Sequence, residues 1–186
     1  MWLWPKDEPR CGIVARTIGG PYTVLIAEQM SVCGMKAVVG LASAGRIGQV
    51  LPLPGIVVAD EAVRDEGTSL HYLPPAETVT ADPALADTLT EAMETVGLPV
   101  RQGLVWTTDA PYRETRSQID HWAARGVLAV EMQAASLFAF GQARGMPTGL
   151  VAHVTNAIDH DSEQFHKGPE DADVTMLAAI ARIALS

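Results

Sequence analysis

The chain of 186 residues is predicted to adopt an α/β fold in which helices cover both faces of a mostly parallel, twisted central sheet, giving three layers. Short apolar runs rich in valine, isoleucine and alanine alternate with segments whose apolar residues recur at helical spacing. Helix-start and helix-stop residues separate these segments, as where Asp82 and Pro83 precede one of them and Gly97 follows it. Strands that alternate with helices favour parallel pairing, because each helix carries the chain back across the sheet.

The predicted elements follow one another closely along the chain. The predicted strands are short apolar runs bounded by glycine or polar residues: Gly12–Ile18, Ala37–Leu41, Ile56–Ala59, Val100–Thr108, Leu128–Met132 and Leu150–Thr155. The predicted helices have apolar residues three and four positions apart: Tyr22–Val32, Asp82–Met93, Arg116–Ala124, Ala134–Ala143 and Val174–Leu185. The sequence shows no internal repeat, low-complexity segment or linker, so residues 1–186 are predicted to form a single domain.

Composition excludes several classes of protein. A formal net charge of −9 argues against nucleic acid or an anionic membrane surface as the main partner. Cys11 and Cys33 lack metal-type or redox-type spacing and are interpreted as reduced cysteines of a cytoplasmic protein. No apolar run approaches the ~20 residues of a membrane span, and Met1–Asp7 does not resemble a secretory signal.

The segment Val127–Phe138 is the most informative part of the chain. Four apolar residues lead directly into Glu131, Met132 and Gln133, and an alanine-rich helical pattern follows. In an open α/β sheet, small-molecule sites form where buried strands end in polar groups and helices begin. This segment therefore predicts a ligand site at the junction of strand and helix.

A second candidate segment, Val38–Gly48, continues a predicted strand with small residues. Small side chains let backbone N–H groups approach an anion, and the Ser43 hydroxyl adds a further donor. The spacing matches neither a Walker phosphate loop nor a dinucleotide-binding fingerprint. From the spacing alone, a tight turn between strands and an anion-binding loop are both open interpretations.

Three further polar features follow predicted strands. Ala62–Tyr72 combines charged and hydroxyl residues, as in a site wall, a subunit contact or a solvated loop. Thr107–Glu114 contains Tyr112, whose ring offers a flat surface for stacking, and Asp109, which is better suited to capping a turn than to chemistry. Asn156 ends the last predicted strand, and its amide can form hydrogen bonds but cannot act as a general acid.

The histidines are not assigned to chemistry. His160 and His166 lie in an acidic run that offers possible metal ligands, but a polar loop is the favoured interpretation, so neither a metal site nor a cofactor is predicted. His153 lies inside an apolar strand, a position more typical of a hydrogen-bonded core histidine than of a catalyst.

Val130–Ala135 resembles the Val-Glu-Met-Glu-Ala-Ala signature of the nucleoside phosphorylase superfamily, which includes purine nucleoside and uridine phosphorylases. The resemblance implies a phosphorylase-type fold and places Val130, Met132 and the catalytic candidate Gln133 at the ribose. Gln133 replaces the glutamate that binds the ribose hydroxyls in the family, so it keeps a hydrogen bond but brings no charge. Glu131 either compensates as a catalytic carboxylate or stabilises the N-terminus of the following helix, and both interpretations are open.

The resemblance also covers the second candidate segment. Ser43 and Gly45 match the hydroxyl residue and the glycine of the family's second phosphate loop, of the form Gly-Thr-Ala-Gly. Gly40 stands where many members have an arginine that contacts phosphate. Arg46 or Arg64 is therefore expected to supply the missing positive charge.

Two base-contacting residues follow from the same resemblance. Tyr112 matches the tyrosine of a Ser-x-Asp-x-Phe-Tyr segment that lines the base pocket, and Asn156 stands where purine-type members have a proton-donating aspartate. Both residues are expected to contact the base. The amide at Asn156 counts against the proton-donation mechanism of the purine-type enzymes.

The function that this resemblance implies is a nucleoside phosphorylase, a pentosyltransferase that cleaves the N-glycosidic bond of a purine or pyrimidine nucleoside with inorganic phosphate. It implies a homo-oligomer, a dimer or a hexamer, that uses no other cofactor. Because Gly40, Gln133 and Asn156 all replace charged residues of the family, the alternative is a catalytically impaired nucleoside-binding or structural subunit. Family members also begin with an earlier strand and a Gly-x-Pro-x-Arg phosphate loop that Met1–Arg10 does not match, so a shortened member is expected.

Overall fold

The computed structural model describes residues 1–8, 10–158, 168–169 and 171–184. Its strands are β1 (Trp2–Trp4), β2 (Cys11–Ile13), β3 (Val38–Arg46), β4 (Gly55–Asp65), β5 (Thr78–Thr80), β6 (Val100–Thr108), β7 (Ala129–Glu131) and β8 (Thr148–Ala157). Its helices are α1 (Gly20–Val32), α2 (Pro83–Glu94), α3 (Arg116–Ala124), α4 (Ala134–Arg144) and α5 (Ala172–Ile183). Two single 3-10 turns lie at Ser69–His71 and Pro111–Arg113.

The main sheet contains six strands in the order β5-β4-β6-β7-β3-β8, and β8 also pairs with β4. This additional pairing curls the sheet into a partly closed barrel. Three strand pairs are parallel (β3–β8, β4–β6, β6–β7) and three are antiparallel (β3–β7, β4–β5, β4–β8). The α/β prediction is confirmed, but the sheet is mixed and partly closed rather than a mostly parallel sheet between two helical layers.

The long strand β4 explains this departure. Its first half, Gly55–Ala59, pairs antiparallel with β8, and Glu61–Val63 pairs antiparallel with β5 on the same edge. A register shift between Ala59 and Glu61 against β6 marks the change of partner. The apolar run predicted the first half of β4, whereas the polar second half resembles a loop in sequence.

Boundaries of the other elements agree with the prediction to different degrees. The limits of β6 and α3 are those predicted. Strand β3, however, continues to Arg46, so Ser43 and Gly45 lie within a strand and not in a turn after it. The predicted strand Gly12–Ile18 forms only the short β2, which pairs antiparallel with β1.

Helix α4 occupies the centre of the fold and positions the candidate site at its N-terminus. All residues from Ala134 to Gly141 are buried, including the large side chains of Phe138 and Phe140. Helix α1 packs closely on α4, since a Cβ atom at Gly20 would lie 2.0 Å from Ser136 Oγ. Among the described residues, no helix is long and apolar enough to cross a membrane.

Candidate active site

A cleft of about 390 Å³ opens near the ends of β3, β7 and β8. Six of the residues selected from the sequence line this cleft: Ser43, Gly45, Val130, Glu131, Met132 and Asn156. They come from three segments that lie far apart in the sequence. The structure therefore brings together the segments proposed to bind phosphate, sugar and base.

A β-bulge shapes the cleft at the end of β8. The register between β3 and β8 shifts after Ala44, so Thr155 has no partner on β3 and Gly45 pairs with Asn156. Bulges of this kind re-aim side chains beside active sites. Here the bulge directs both Thr155 and Asn156 to the lining of the cleft.

Thr155 is a site residue that the sequence analysis did not select. Its side chain is 4% exposed, and its Oγ1 atom has no hydrogen-bond partner among the residues that the structure describes. A buried hydroxyl without a partner costs free energy, which a ligand can offset by forming the missing hydrogen bond. The available signal was a hydroxyl residue at the end of an otherwise apolar strand, directly before Asn156.

The floor of the cleft has room only for glycine at position 45. A Cβ atom at this position would lie 2.4 Å from two side-chain atoms of Ile158. A larger residue would therefore displace Ile158, which also lines the cleft. Ser43, two residues earlier on β3, is exposed and lines the cleft.

Glu131 caps helix α4 through a dense set of hydrogen bonds. Its carboxylate accepts hydrogen bonds from the backbone N–H groups of Gln133 (2.6 Å) and Ala134 (3.0 and 3.1 Å). It also accepts one from Thr107 Oγ1 at 2.6 Å. The stabilisation of the helix N-terminus, one of the two open interpretations of Glu131, is thus seen directly. Burial raises the pKa of Glu131 to about 7, although these hydrogen bonds act in the opposite direction.

Glu114 is a second carboxylate of the cleft and was not selected from the sequence. It follows the 3-10 turn Pro111–Arg113, which folds back over the cleft. Partial burial raises the pKa of Glu114 to about 6. No local sequence signal distinguishes this glutamate, because its position depends on how the turn after β6 folds.

Two predicted ligand contacts lie away from the cleft lining. Tyr112 is fully exposed, although its neighbour Pro111 lines the cleft. Gln133 is buried, and its Oε1 atom accepts a hydrogen bond from Thr23 Oγ1 of α1 at 3.2 Å. Gln133 therefore joins α4 to α1 in this structure.

The two candidate arginines also have other contacts. Arg64 is 9% exposed, and its guanidinium donates to Ser69 Oγ and to the carbonyl oxygens of Leu73 and Pro74. It lines a different cavity, beside α3. Arg46 donates through one terminal nitrogen to the carbonyl of Leu51. The structure thus places neither guanidinium in the lining of the cleft.

The charged groups that line the cleft are carboxylates. Glu114 and Glu131 contribute to it, and no arginine, lysine or histidine among the described residues does. Such a lining favours a ligand that develops positive charge. Within the described part of the chain, no group of three histidine, cysteine, aspartate or glutamate residues is arranged to hold a metal ion, and His160 and His166 lie outside it.

Comparison with known proteins identifies the family of the chain. Residues 9–186 match the model of the Phosphorylase superfamily, and the chain therefore belongs to that superfamily. It is 27% identical over 167 residues to a uridine phosphorylase of Salmonella typhimurium, covering 82% of this chain and 66% of that protein. It is also 27% identical over 169 residues to a guanosine phosphorylase of Halorubrum lacusprofundi, covering 87% and 70%. The chain thus spans just under two thirds of the length of the uridine phosphorylase.

Proposed function

We propose that the cleft binds a nucleoside together with inorganic phosphate, and that the protein cleaves the N-glycosidic bond by phosphorolysis. One observation carries this proposal: Ser43, Met132 and Asn156, each on or directly after a different strand, line a single cleft in a member of the Phosphorylase superfamily. The relatives named as uridine and guanosine phosphorylases support a nucleoside as the substrate.

In this proposal phosphate lies against β3. The exposed Ser43 hydroxyl donates one hydrogen bond to the anion, and Gly45 makes room for the Ile158 side chain beside it. Arg46 and Arg64 are not used, because both guanidinium groups donate to backbone carbonyls away from the cleft.

The sugar lies between β7 and the turn after β6 in the proposed complex. Val130 and Met132 supply an apolar wall, and Glu131 supplies a carboxylate. Phosphorolysis passes through a cationic, oxocarbenium-like sugar, which negative charges in a partly buried cleft stabilise. The pKa of Glu131, at about 7, means that this group is largely ionised only above neutral pH.

Asn156 and Glu114 are proposed to recognise the base. An ionised carboxylate accepts hydrogen bonds and donates none, so Glu114 favours a base that presents a ring N–H. Guanine and uracil both have such a group, whereas adenine does not. The Asn156 amide can donate to a carbonyl oxygen of either base. We therefore propose guanosine or uridine, in preference to adenosine, as the substrate.

The alternative is a nucleoside-binding subunit without turnover. It is supported by the neutral side chains of Gln133 and Asn156 and by the carboxylates of the cleft, which repel a phosphate dianion. It shares the binding site with the main proposal and differs only in the chemistry.

Release of free base from guanosine, uridine and adenosine, measured with and without phosphate, tests the proposal. The matched variants are Ser43→Ala in the cleft and Ser117→Ala on α3, outside it. Phosphate-dependent release that is reduced by S43A but not by S117A is expected. Calorimetric binding of a nucleoside without any release would favour the alternative, and the absence of both binding and release would exclude both functions.

We also propose that the protein works as a homo-oligomer in the cytoplasm. The outer face of α1 supports self-association, because Tyr22, Leu25 and Val32 are exposed there. Light scattering of the purified chain is expected to give a multiple of the 19.8 kDa chain mass. A monomer at micromolar concentration would contradict this proposal.

A further inference from the structure

His153 occupies an unusual position beside the proposed phosphate site. It lies on β8, where it is the register partner of Ser43 in the parallel pairing of β3 with β8. Partner residues of a parallel pair project from the same face of the sheet. The His153 and Ser43 side chains therefore project from the same face at paired positions, although no hydrogen bond joins them in this structure.

The two ring nitrogens of His153 have different environments. Nδ1 lies 2.6 Å from Asp173 Oδ1, at the start of α5. Nε2 is buried and has no hydrogen-bond partner among the described residues, and the whole side chain is 4% exposed. An unpaired ring nitrogen in a buried histidine is costly, so a partner for Nε2 is expected.

The contact with Asp173 determines what Nε2 can do. A carboxylate accepts hydrogen bonds, so Nδ1 carries a proton and Nε2 is the atom that is free to interact with a neighbour. The ring is also flanked by Ile56, its register partner on β4, which offers no polar group. Ser43 on the opposite side of β8 does offer one.

We propose that His153, oriented by Asp173, positions the Ser43 hydroxyl for the anion in the cleft. This inference rests on the proposed function, because it assigns phosphate to Ser43. His153 is a positioning residue and not a catalytic one, since its ring is buried and does not line the cleft.

The proposed arrangement follows from the single proton of the serine hydroxyl. A protonated Nε2 donates to Ser43 Oγ, so the hydroxyl proton is directed away from the ring and toward the anion. A neutral Nε2 would accept that proton instead and leave only the oxygen lone pairs facing the cleft. In the proposed pairing Nε2 therefore donates to Ser43 Oγ, and the serine hydroxyl donates to phosphate.

Two substitutions of His153 distinguish the roles of its two ring nitrogens. In His153→Asn the amide can replace Nδ1 at Asp173 but is too short to reach the position of Nε2. In His153→Gln the longer side chain reaches the position of Nε2. We expect H153N to raise the KM for phosphate about three- to tenfold, as S43A does, and H153Q to raise it less. The KM for the nucleoside is expected to stay unchanged in both.

A double variant tests whether His153 acts through Ser43. If it does, S43A/H153N has the same phosphate KM as S43A alone, because the positioned hydroxyl is already absent. Equal losses in H153N and H153Q, or additive losses in the double variant, would overturn the proposal. Thermal unfolding of each variant is measured on the same samples to correct for any unfolded fraction.

A ligand-free measurement keeps this proposal separate from the proposed function. In ¹⁵N NMR spectra of the imidazole rings, S43A is expected to shift the Nε2 resonance of His153 and to leave Nδ1 unchanged, whereas S117A shifts neither. An unchanged Nε2 resonance in S43A would overturn the pairing even in an active enzyme. Failure of the wild type to use phosphate would instead remove the proposed function while the NMR result still decides the pairing.

Discussion

The ends of β7 and β8 face the same cleft, but their polar groups are satisfied in different ways. At the end of β7, Glu131 accepts hydrogen bonds from two backbone groups and from Thr107. At the end of β8, Thr155 Oγ1 is equally buried and has no partner among the described residues. The comparison indicates that the β7 end maintains the structure of the cleft, whereas the β8 end is open to a ligand.

Removal of the β7 carboxylate is expected to have the largest effect on stability. Glu131→Ala leaves the N–H groups of Gln133 and Ala134 without partners, and we expect a loss of about 3 kcal/mol or more in the free energy of unfolding. Asp109→Ala is the control, because it removes an exposed carboxylate that caps Gly67. Urea unfolding measures both variants, and equal small losses would show that the β7 end is not structural.

The protonation of Glu131 is expected to have the next largest effect on the free energy of unfolding. Its pKa in the folded protein, about 7, lies above the ordinary value of 4.5, so the folded state binds the proton more tightly than the unfolded state. This contribution to stability is complete below pH 4.5 and is lost as the pH rises through 7. Between pH 5 and pH 8 the wild type should therefore lose roughly 2–3 kcal/mol of its free energy of unfolding, whereas Glu131→Gln, which does not titrate, keeps it. Parallel pH profiles for the two proteins would contradict this assignment.

Gly45, at the floor of the cleft, lies on β3 between the ends of β7 and β8, and its surroundings leave no room for a larger side chain. Gly45→Ala places a methyl group against Ile158, and we expect a loss of roughly 1–3 kcal/mol in stability together with weaker phosphate binding. Gly48→Ala is unsuitable as a control because of its positive φ. Ala44→Gly is the control, because it makes the neighbouring side chain smaller instead of larger. It tests whether side-chain size or backbone flexibility determines stability and phosphate binding. Unchanged phosphate affinity in G45A would show that the anion does not approach this strand end.

The ionisation of Glu114 is expected to affect ligand binding rather than stability. Because its pKa is about 6, the carboxylate loses its proton between pH 5 and pH 7. Nucleoside affinity in the wild type should rise across this range by about three- to tenfold, since the ring N–H of the base forms a stronger hydrogen bond with the ionised carboxylate than with the neutral carboxyl group. Glu114→Gln should remove this rise, as measured by calorimetry. A rise of the same size in E114Q would assign the pH dependence to another group.

The sequence predicted the elements whose signals are local. Helix α3 begins at a capping box, in which Thr115 and Gln118 bond reciprocally, and its limits were predicted correctly. The partners of β4 were not predicted, because an apolar run specifies burial but neither the neighbour nor the direction of a strand. The closure of the sheet through β4 and β8 is a long-range property of this kind.

In the candidate site, too, the sequence predicted what depends on local signals and missed what depends on how the chain folds. Ser43, Met132 and Asn156 were selected from polar or small residues near strand ends together with the resemblance to the nucleoside phosphorylases, and all three line the cleft. Glu114 and Tyr112 lie two residues apart on one turn, yet only Glu114 reaches the cleft. The conformation of that turn, which the local sequence does not specify, determines which side chain faces the ligand.

The central claim, that the open end of β8 is a ligand site, is tested most directly by calorimetric titration of guanosine and uridine into the wild type and Thr155→Val. This substitution removes the unpartnered hydroxyl and keeps the shape of the side chain, so the free energy of unfolding should change by less than about 1 kcal/mol. The account predicts one nucleoside bound per chain and an affinity about three- to tenfold lower in T155V. Absence of nucleoside binding to the wild type, or equal affinity in both proteins, would contradict it.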